Sequence, residues 1–326
     1  MSGPDRPLRL LIVRLSSLGD VIHALPLAAN AKRAGAEVAW LVEPAYRGLL
    51  EADPDVDRVF VADTKRWRQN PFSPATVTDV SHLRRALREF APDRTLDAQG
   101  LWKSALLAKS AGAPVVGFAA ADRKEATSAL LCDQPVRPLP GVHVVDRNLA
   151  LAEAAGVPIR ERSPDATFLL SRPSAEADAF LAAQPAPFAL YHPGAGRPDK
   201  TWGEARFAAL AELLSTGAGL SPVISWGPGD EERARRMSAL LPGARILPLL
   251  RAEGLARIAA RASLFVAGDT GPLHLADALG VPTLALFGPT DPARNGPYRR
   301  PSAAVRYDAA TDAATVARRA FEVLAA

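Results

Sequence analysis

Cysteine is nearly absent. Cys132 is the single one in 326 residues, which excludes an internal disulfide framework and a cysteine-built zinc cage and fits a reducing compartment. No uncharged apolar run reaches the ~18 residues that cross a bilayer. Residues 1–9 (MSGPDRPLR) lack the apolar stretch of a secretory signal. The expectation is a cytoplasmic protein that at most lies against a membrane. No GxGxxG follows the first strand of either half and no GxxxxGK[ST] occurs, which disfavours a nicotinamide dehydrogenase and a P-loop kinase. No His and carboxylate cluster has ligand spacing, so no catalytic metal is expected. An excess of one charge is also missing: 39 Lys and Arg against 35 Asp and Glu leave +4, too mild to mark a nucleic-acid partner.

What is present is length and alternation. Apolar residues make up 48% of the chain and charged residues 23%, so it is globular, and 326 residues suit two domains. In the first half, strand patterns over 8–15, 36–42, 56–61, 94–98 and 114–118 alternate with helical ones over 20–34, 80–90, 101–111 and 142–156. Pro26 must kink or restart the first helix. Residues 157–165 (VPIRERSPD) read as a linker. The alternation then restarts. Strands are expected over 166–170, 187–192, 222–226, 264–267 and 283–287, with helices between them and a last amphipathic helix over 311–324. This βα pattern predicts an α/β chain with two doubly wound parallel sheets.

In such sheets ligands bind outside the carboxyl ends of the strands, so polar residues there carry the functional reading. LLIVRLSSLGDVIH (10–23) runs from a strand through a small-residue turn into a helix. Its Asp20 reads either as a helix cap or as a carboxylate at the mouth of a cleft. Lys65-Arg66-Trp67-Arg68 follows the third strand and reads either as a solvated loop or as part of an anion site. In DAQGLWKS (97–104), Lys103 falls in a first helical turn, where a cation opposes the helix dipole; that misplacement points to a nearby anion. Arg14, Arg123, Lys124, His143 and Arg147 extend the same cationic edge, which suits a phosphorylated or carboxylated substrate.

The second half collects glycines and polar residues at its own strand ends. In Gly268-Asp269-Thr270-Gly271-Pro272, free amides at a helix N-terminus and the Thr270 hydroxyl make an anion site suited to a diphosphate. Lys200 adds a point charge, and Glu231 suits a ribose diol. His274 reads equally as a structural histidine.

Taken together, LIVRLSSLGDVIH, the RWR of 66–68, DAQGLWKS, HVVDR (143–147), DKTW (199–202), WGPGDEE (226–232), GDTGPLHLADALGVP and LFGPTDP resemble the bacterial ADP-heptose:lipopolysaccharide heptosyltransferases. The likeness spans nearly the whole chain, and the RWR and DAQGLWKS segments favour the type I branch. The resemblance implies the GT-B fold: two Rossmann-like domains facing a central cleft. It assigns an acceptor domain at 1–160 and an ADP-sugar domain at 161–310, with helix 311–326 packing back on the first. It implies an inverting, metal-independent transfer of heptose from ADP-L-glycero-D-manno-heptose to Kdo of Kdo-lipid A, needing no cofactor. The enzyme would be a monomer at the cytoplasmic face of the inner membrane.

By match, Asp20 is the general base. Lys200, Thr270 and Gly271 hold the donor diphosphate, Glu231 the ribose and Leu250 the adenine, while Asp269 and His274 lie nearer the sugar. Arg14, Lys65, Arg66, Arg68, Lys103, Lys124, His143 and Arg147 form the acceptor wall. Two positions depart from the pattern. Type I enzymes commonly carry a Thr pair before the lysine, where this chain has Pro193-Gly194-Ala195-Gly196. The expected Arg-Glu pair appears as Arg123-Lys124-Glu125, so both cations are candidates. The alternatives are a relative with another sugar or core acceptor, and a nucleotide-binding scaffold without turnover. Asp20 and Lys200 speak against the scaffold. A sugar-nucleotide epimerase shares the architecture without needing the cationic wall.

Overall fold

Leu10, Leu11, Ile12 and Val13 are all fully buried, and a strand apolar on both faces belongs inside a sheet that helices cover on both sides. A computed structural model describes residues 6–185, 187–194 and 200–325. It places this strand, β1 (Arg9–Val13), within a sheet that also holds β2 (Glu37–Val42), β3 (Arg58–Val61), β4 (Arg94–Asp97), β5 (Val115–Phe118) and β6 (Gln134–Val136). The order is β3-β2-β1-β4-β5-β6, and every pair is parallel. The second sheet holds β7 (Phe188–His192), β8 (Ser221–Ile224), β9 (Arg245–Ile246), β10 (Leu264–Gly268), β11 (Thr283–Phe287) and β12 (Ala304–Arg306). Its order is β12-β11-β10-β7-β8-β9, again parallel throughout. The two-fold periodicity of a strand splits its residues between two cores: Leu264 and Val266 join one, Phe265 and Ala267 the other.

Parallel pairing sends all carboxyl ends of a sheet to one edge. Strand order reverses between β1 and β4 in the first sheet and between β7 and β10 in the second. The loops leaving those strands diverge and open a crevice. The turn at 14–20 and the DAQG turn flank the first; the Gly-Asp-Thr-Gly turn and Lys200 flank the second.

The expected elements are found with three kinds of difference. The first helix breaks in two, Leu18–Ile22 and Leu25–Arg33, with Pro26 in the opening turn of the second, where a missing N–H costs nothing. Residues 166–170 form a 3-10 turn (Thr167–Ser171) in place of a strand. Asp165 accepts from Thr167 N–H at 2.8 Å just before it, and Arg257 reaches the Leu170 carbonyl at 3.1 Å. The short edge strands β6, β9 and β12, of two or three residues each, have no apolar run to announce them.

The chain divides into two units after Pro164, inside the stretch read as a linker. The terminal helix Ala313–Ala325 corrects an expectation: its buried face packs on the helix Glu204–Ala218, within the second unit. Val316, Ala317, Ala320 and Val323 share a core with Phe207, Leu210, Ala211 and Leu214. Gly217 makes the approach possible, since a Cβ there would meet Phe321 Cζ at 2.7 Å. The apolar stripe of the helix has its complement in its own domain.

That packing is testable. Ala320 is fully buried, so Ala320→Glu is expected to destabilise the second unit by roughly 3 kcal/mol or more, read as an earlier urea transition. A transition at the wild-type position would contradict the docked helix.

Candidate functional site

The first crevice is built on the turn after β1. Ser17 precedes the helix Leu18–Ile22, and Asp20 is its third residue. The Asp20 carboxylate accepts from Ser17 N–H and Ser17 Oγ–H, each at 3.0 Å, and pairs with Arg14. Asp20 thus caps the helix entry, and its side chain keeps 38% of its surface exposed. Burial pushes this carboxyl up, but the Arg14 guanidinium and the Ser17 hydrogen bonds outweigh it and hold it below the ordinary carboxylate value. At neutral pH it is ionised. The Ser16–Ser17 peptide is cis. Arg14 is itself buried and also donates to the Ala98 carbonyl.

Lys103 has its anion. Its ammonium donates to Glu43 Oε1 at 3.3 Å and Thr64 Oγ1 at 3.1 Å, and Glu43, just past β2, is almost fully buried. The dipole argument detected a partner, and that partner is internal. Lys103 keeps 39% of its side chain exposed and can still face a ligand. Tyr46 belongs to the same group: burial first, then the Glu43 and Asp20 carboxylates, push its phenol up. Glu43 was missed, although a carboxylate directly after a buried strand is the same signal that singled out Asp20.

The other first-half cations divide. Lys65, Arg66 and Arg68 ride a short helix, Thr64–Gln69, which Asp63 caps. Lys65 and Arg68 are exposed, while Arg66 pairs with Asp79 and lies 3.5 Å from Asp63. Lys124 is exposed. His143 caps the helix Val144–Ala154, its Nδ1 accepting from Val145 N–H at 3.1 Å. Arg147 holds Asp122 at 3.2 Å and stacks 5.1 Å over Phe118.

Arg123 is the correction. Its side chain and that of Asp97 are both fully buried and pair at 2.8 Å. Arg123 also donates to the Phe118 carbonyl at 2.5 Å and to Ser128 Oγ at 3.1 Å. Glycine at 117 makes room, because a Cβ there would collide with the guanidinium. Arg123 is a structural cation under the sheet edge, and of the two candidate cations only Lys124 is exposed.

The second crevice gathers Lys200, Asp269, Thr270 and His274. Lys200 Nζ lies 2.7 Å from one Asp269 oxygen and His274 Nε2 lies 3.3 Å from the other. Burial raises the Asp269 carboxyl, and the His274 and Lys200 contacts overcome it, bringing it down to about 2. Thr270 caps the helix Gly271–Ala278 without a side-chain cap bond, and its buried Oγ1 has no hydrogen-bond partner among the described residues. A buried hydroxyl without a partner, beside the free N–H groups of a helix N-terminus, is an anion cradle. Gly268 lets Lys200 approach: a Cβ there would stand 3.2 Å from the Lys200 carbonyl.

Glu231 opens the helix after β8 with 49% of its side chain exposed, held by Arg235 at 2.7 Å. Leu250, beyond β9, packs against the core beside Gly254. Ala195, Gly196 and Asp199 lie outside the described residues. Sequence reasoning passed over His192 and Ser225, which are buried at the carboxyl ends of β7 and β8. His192 Nδ1 lies 3.0 Å from Ser225 Oγ, and Ser225 donates to the Tyr191 carbonyl at 3.1 Å. Burial lowers the imidazole to about 4, so it is neutral.

The chain is similar to known proteins over most of its length. The model of glycosyltransferase family 9 (heptosyltransferase) matches residues 80–322. Lipopolysaccharide heptosyltransferase 1 of Pseudomonas aeruginosa is 39% identical over 90% of this chain and 82% of its own length. Among solved structures, the Escherichia coli heptosyltransferase WaaC with ADP aligns at a TM-score of 0.81 with 30% identity, covering 97% of this chain and 100% of that one. The same enzyme with ADP-2-deoxy-2-fluoro heptose aligns at 0.79 with 30% identity, over 97% and 99%.

The Asp269 cluster has a pH signature. A carboxyl at about 2 in the folded chain and 3.8 in the unfolded one contributes about 2 kcal/mol. That contribution is complete above the unfolded value and disappears as pH falls through the folded one. Asp269→Asn is expected to lower stability at neutral pH by about that amount and to flatten the decline between pH 4 and 2. Denaturation curves across this range check it.

Proposed function

The chain belongs to glycosyltransferase family 9, the heptosyltransferases, and on that premise we propose that it moves heptose from ADP-L-glycero-D-manno-heptose to the Kdo of Kdo-lipid A, by inversion and without a metal. It is a glycosyltransferase with the GT-B fold of the heptosyltransferase structures, and heptosyltransferase I-like in its relatives. The observation that carries the donor reading is the buried Thr270 hydroxyl, without a partner among the described residues, at a helix N-terminus with Lys200 alongside.

In this reading the second unit holds the ADP moiety. The helix N-terminus, Thr270 Oγ and Lys200 meet the diphosphate, Glu231 offers its exposed carboxylate to the ribose, and Leu250 gives an apolar contact to the base. Asp269 and His274 orient Lys200 and lie toward the sugar. As the glycosidic bond to ADP breaks, negative charge grows on the leaving phosphate, and preorganised donors stabilise it without the reorganisation that water would need.

The first unit supplies the base. The exposed face of Asp20 accepts the proton of a Kdo hydroxyl while that oxygen bonds to the anomeric carbon. A single displacement from the side opposite ADP inverts the centre. A carboxylate held below its ordinary value is ionised at neutral pH but weak, so it takes the proton late, when the new C–O bond has made the hydroxyl acidic. Such help is worth about 100- to 10,000-fold. Lys65, Arg68, Lys103, Lys124 and Arg147 offer cations to the carboxylates and phosphates of the acceptor. No described helix is long and apolar enough to cross a membrane. Since the proposed acceptor is a lipid, the reading puts the enzyme at the cytoplasmic face of the inner membrane.

Incubation with Kdo-lipid A and a panel of ADP- and UDP-sugars is expected to give a mass gain of one heptose with ADP-heptose alone. Asp20→Ala should abolish that gain, and full activity in this variant would remove the base assignment. Replacing Lys65 and Arg68 with alanine should raise the acceptor KM several-fold and leave the ADP-heptose KM unchanged. Equal effects on both would contradict the separation of donor and acceptor residues.

A further inference from the structure

Gln99 has no role in the scheme above, yet its side chain makes three hydrogen bonds to the turn that carries Asp20. Its Oε1 accepts from Leu15 N–H at 2.8 Å and from Ser16 N–H at 3.3 Å. Its Nε2 donates to the Ser16 carbonyl at 3.0 Å. These backbone groups lie just past β1, at the point where strand order reverses. The next residue, Ser17, presents the N–H and Oγ–H that hold Asp20.

Gln99 is itself fixed from behind. Asp97 Oδ1 accepts from Gln99 N–H at 3.2 Å and Gly100 N–H at 3.1 Å, while Asp97 Oδ2 meets the buried Arg123. Gly100 closes the turn at φ +71°, a conformation that favours glycine. A chain of contacts thus runs from a buried ion pair through the Gln99 amide to the Ser16–Ser17 backbone and on to the Asp20 carboxylate. Only a carboxamide of this length accepts two adjacent N–H groups and donates to the neighbouring carbonyl. Glutamate cannot donate and methionine can do neither.

We propose that Gln99 is the positioning residue for Asp20: its carboxamide takes the place of a missing strand partner, sets the Ser16–Ser17 backbone, and through Ser17 aims the Asp20 carboxylate. The inference rests on Asp20 being the base, and it extends that reading from the carboxylate to the turn behind it. It also gives the buried Arg123–Asp97 pair a purpose, as the anchor of the DAQG turn.

The test uses the full chain with Gln99→Met, an apolar side chain of similar length, and reads kcat, donor KM, the pH profile of kcat and thermal stability. A misplaced base costs rate and spares donor contacts in the other unit. The expected result is a kcat lower by roughly 10- to 100-fold with an unchanged donor KM. The acid limb should move to higher pH, because loosened Ser17 hydrogen bonds no longer favour the ionised carboxylate. Wild-type kcat overturns the proposal. So does a lowered kcat with an unmoved limb, which is what loss of folded enzyme alone would produce. If Gln99→Met does not fold, Gln99→Glu, which keeps both N–H contacts, is read in the same way: a lowered kcat with a displaced limb supports the proposal, and a wild-type profile overturns it. Asp20→Ala run in parallel reports on the base assignment separately, since activity there removes that assignment whatever Gln99 does.

Discussion

At a strand-order reversal, the loops leaving two adjacent parallel strands turn opposite ways, and the backbone groups between them lose their neighbours. Both sheets contain this gap, and the two are resolved differently. Between β1 and β4 the chain fills it with its own Gln99 amide, which leaves a rigid turn with one carboxylate on its rim. Between β7 and β10 it stays partly unfilled: at the helix N-terminus the Thr270 hydroxyl has no hydrogen-bond partner among the described residues. Buried polar groups are seldom left so, and in the proposed function the anionic part of the donor completes them. The proposed division of labour, base on one unit and diphosphate on the other, follows from this difference.

The ion pairs grade by exposure, and exposure separates structure from chemistry. Asp97 and Arg123 are wholly buried; their charge is consumed internally and they hold a turn. Lys200 and Asp269 keep 20% and 9% of their side chains exposed, enough for the ammonium to share itself with a ligand. Arg14 and Asp20 reverse that balance, at 10% and 38%, so the cation is buried behind the carboxylate and tunes it. In the proposed function one chemical pairing thus serves as anchor, electrostatic clamp and tuned base according to which partner meets solvent.

Much of this is legible in the residues alone. Apolar runs ending in small or polar residues locate the strand ends, and with them Asp20, Lys103, Lys200 and Thr270. Pro26 marks a helix restart, and the Pro- and charge-rich stretch before Asp165 marks the division of the chain. What is not legible is which way a long side chain turns. Arg123 and Lys124 are adjacent cations, and only the space left by Gly117, a strand away, decides that Arg123 goes inward. Lys103 shows its need for an anion, but Glu43, the partner, is 60 positions distant. The apolar stripe of the terminal helix demands burial without saying on which domain. Gln99 escaped notice because a neutral amide that bonds backbone has no charge or spacing signature.

Whether the two units perform separable tasks is measured directly by titrating ADP calorimetrically into wild type, Thr270→Val and Asp20→Ala. Losing a hydroxyl hydrogen bond to a charged phosphate costs about 1.5–3 kcal/mol, so Thr270→Val is expected to bind ADP at least tenfold more weakly, with Asp20→Ala equal to wild type. Equal weakening in both variants, or none in Thr270→Val, would contradict the account.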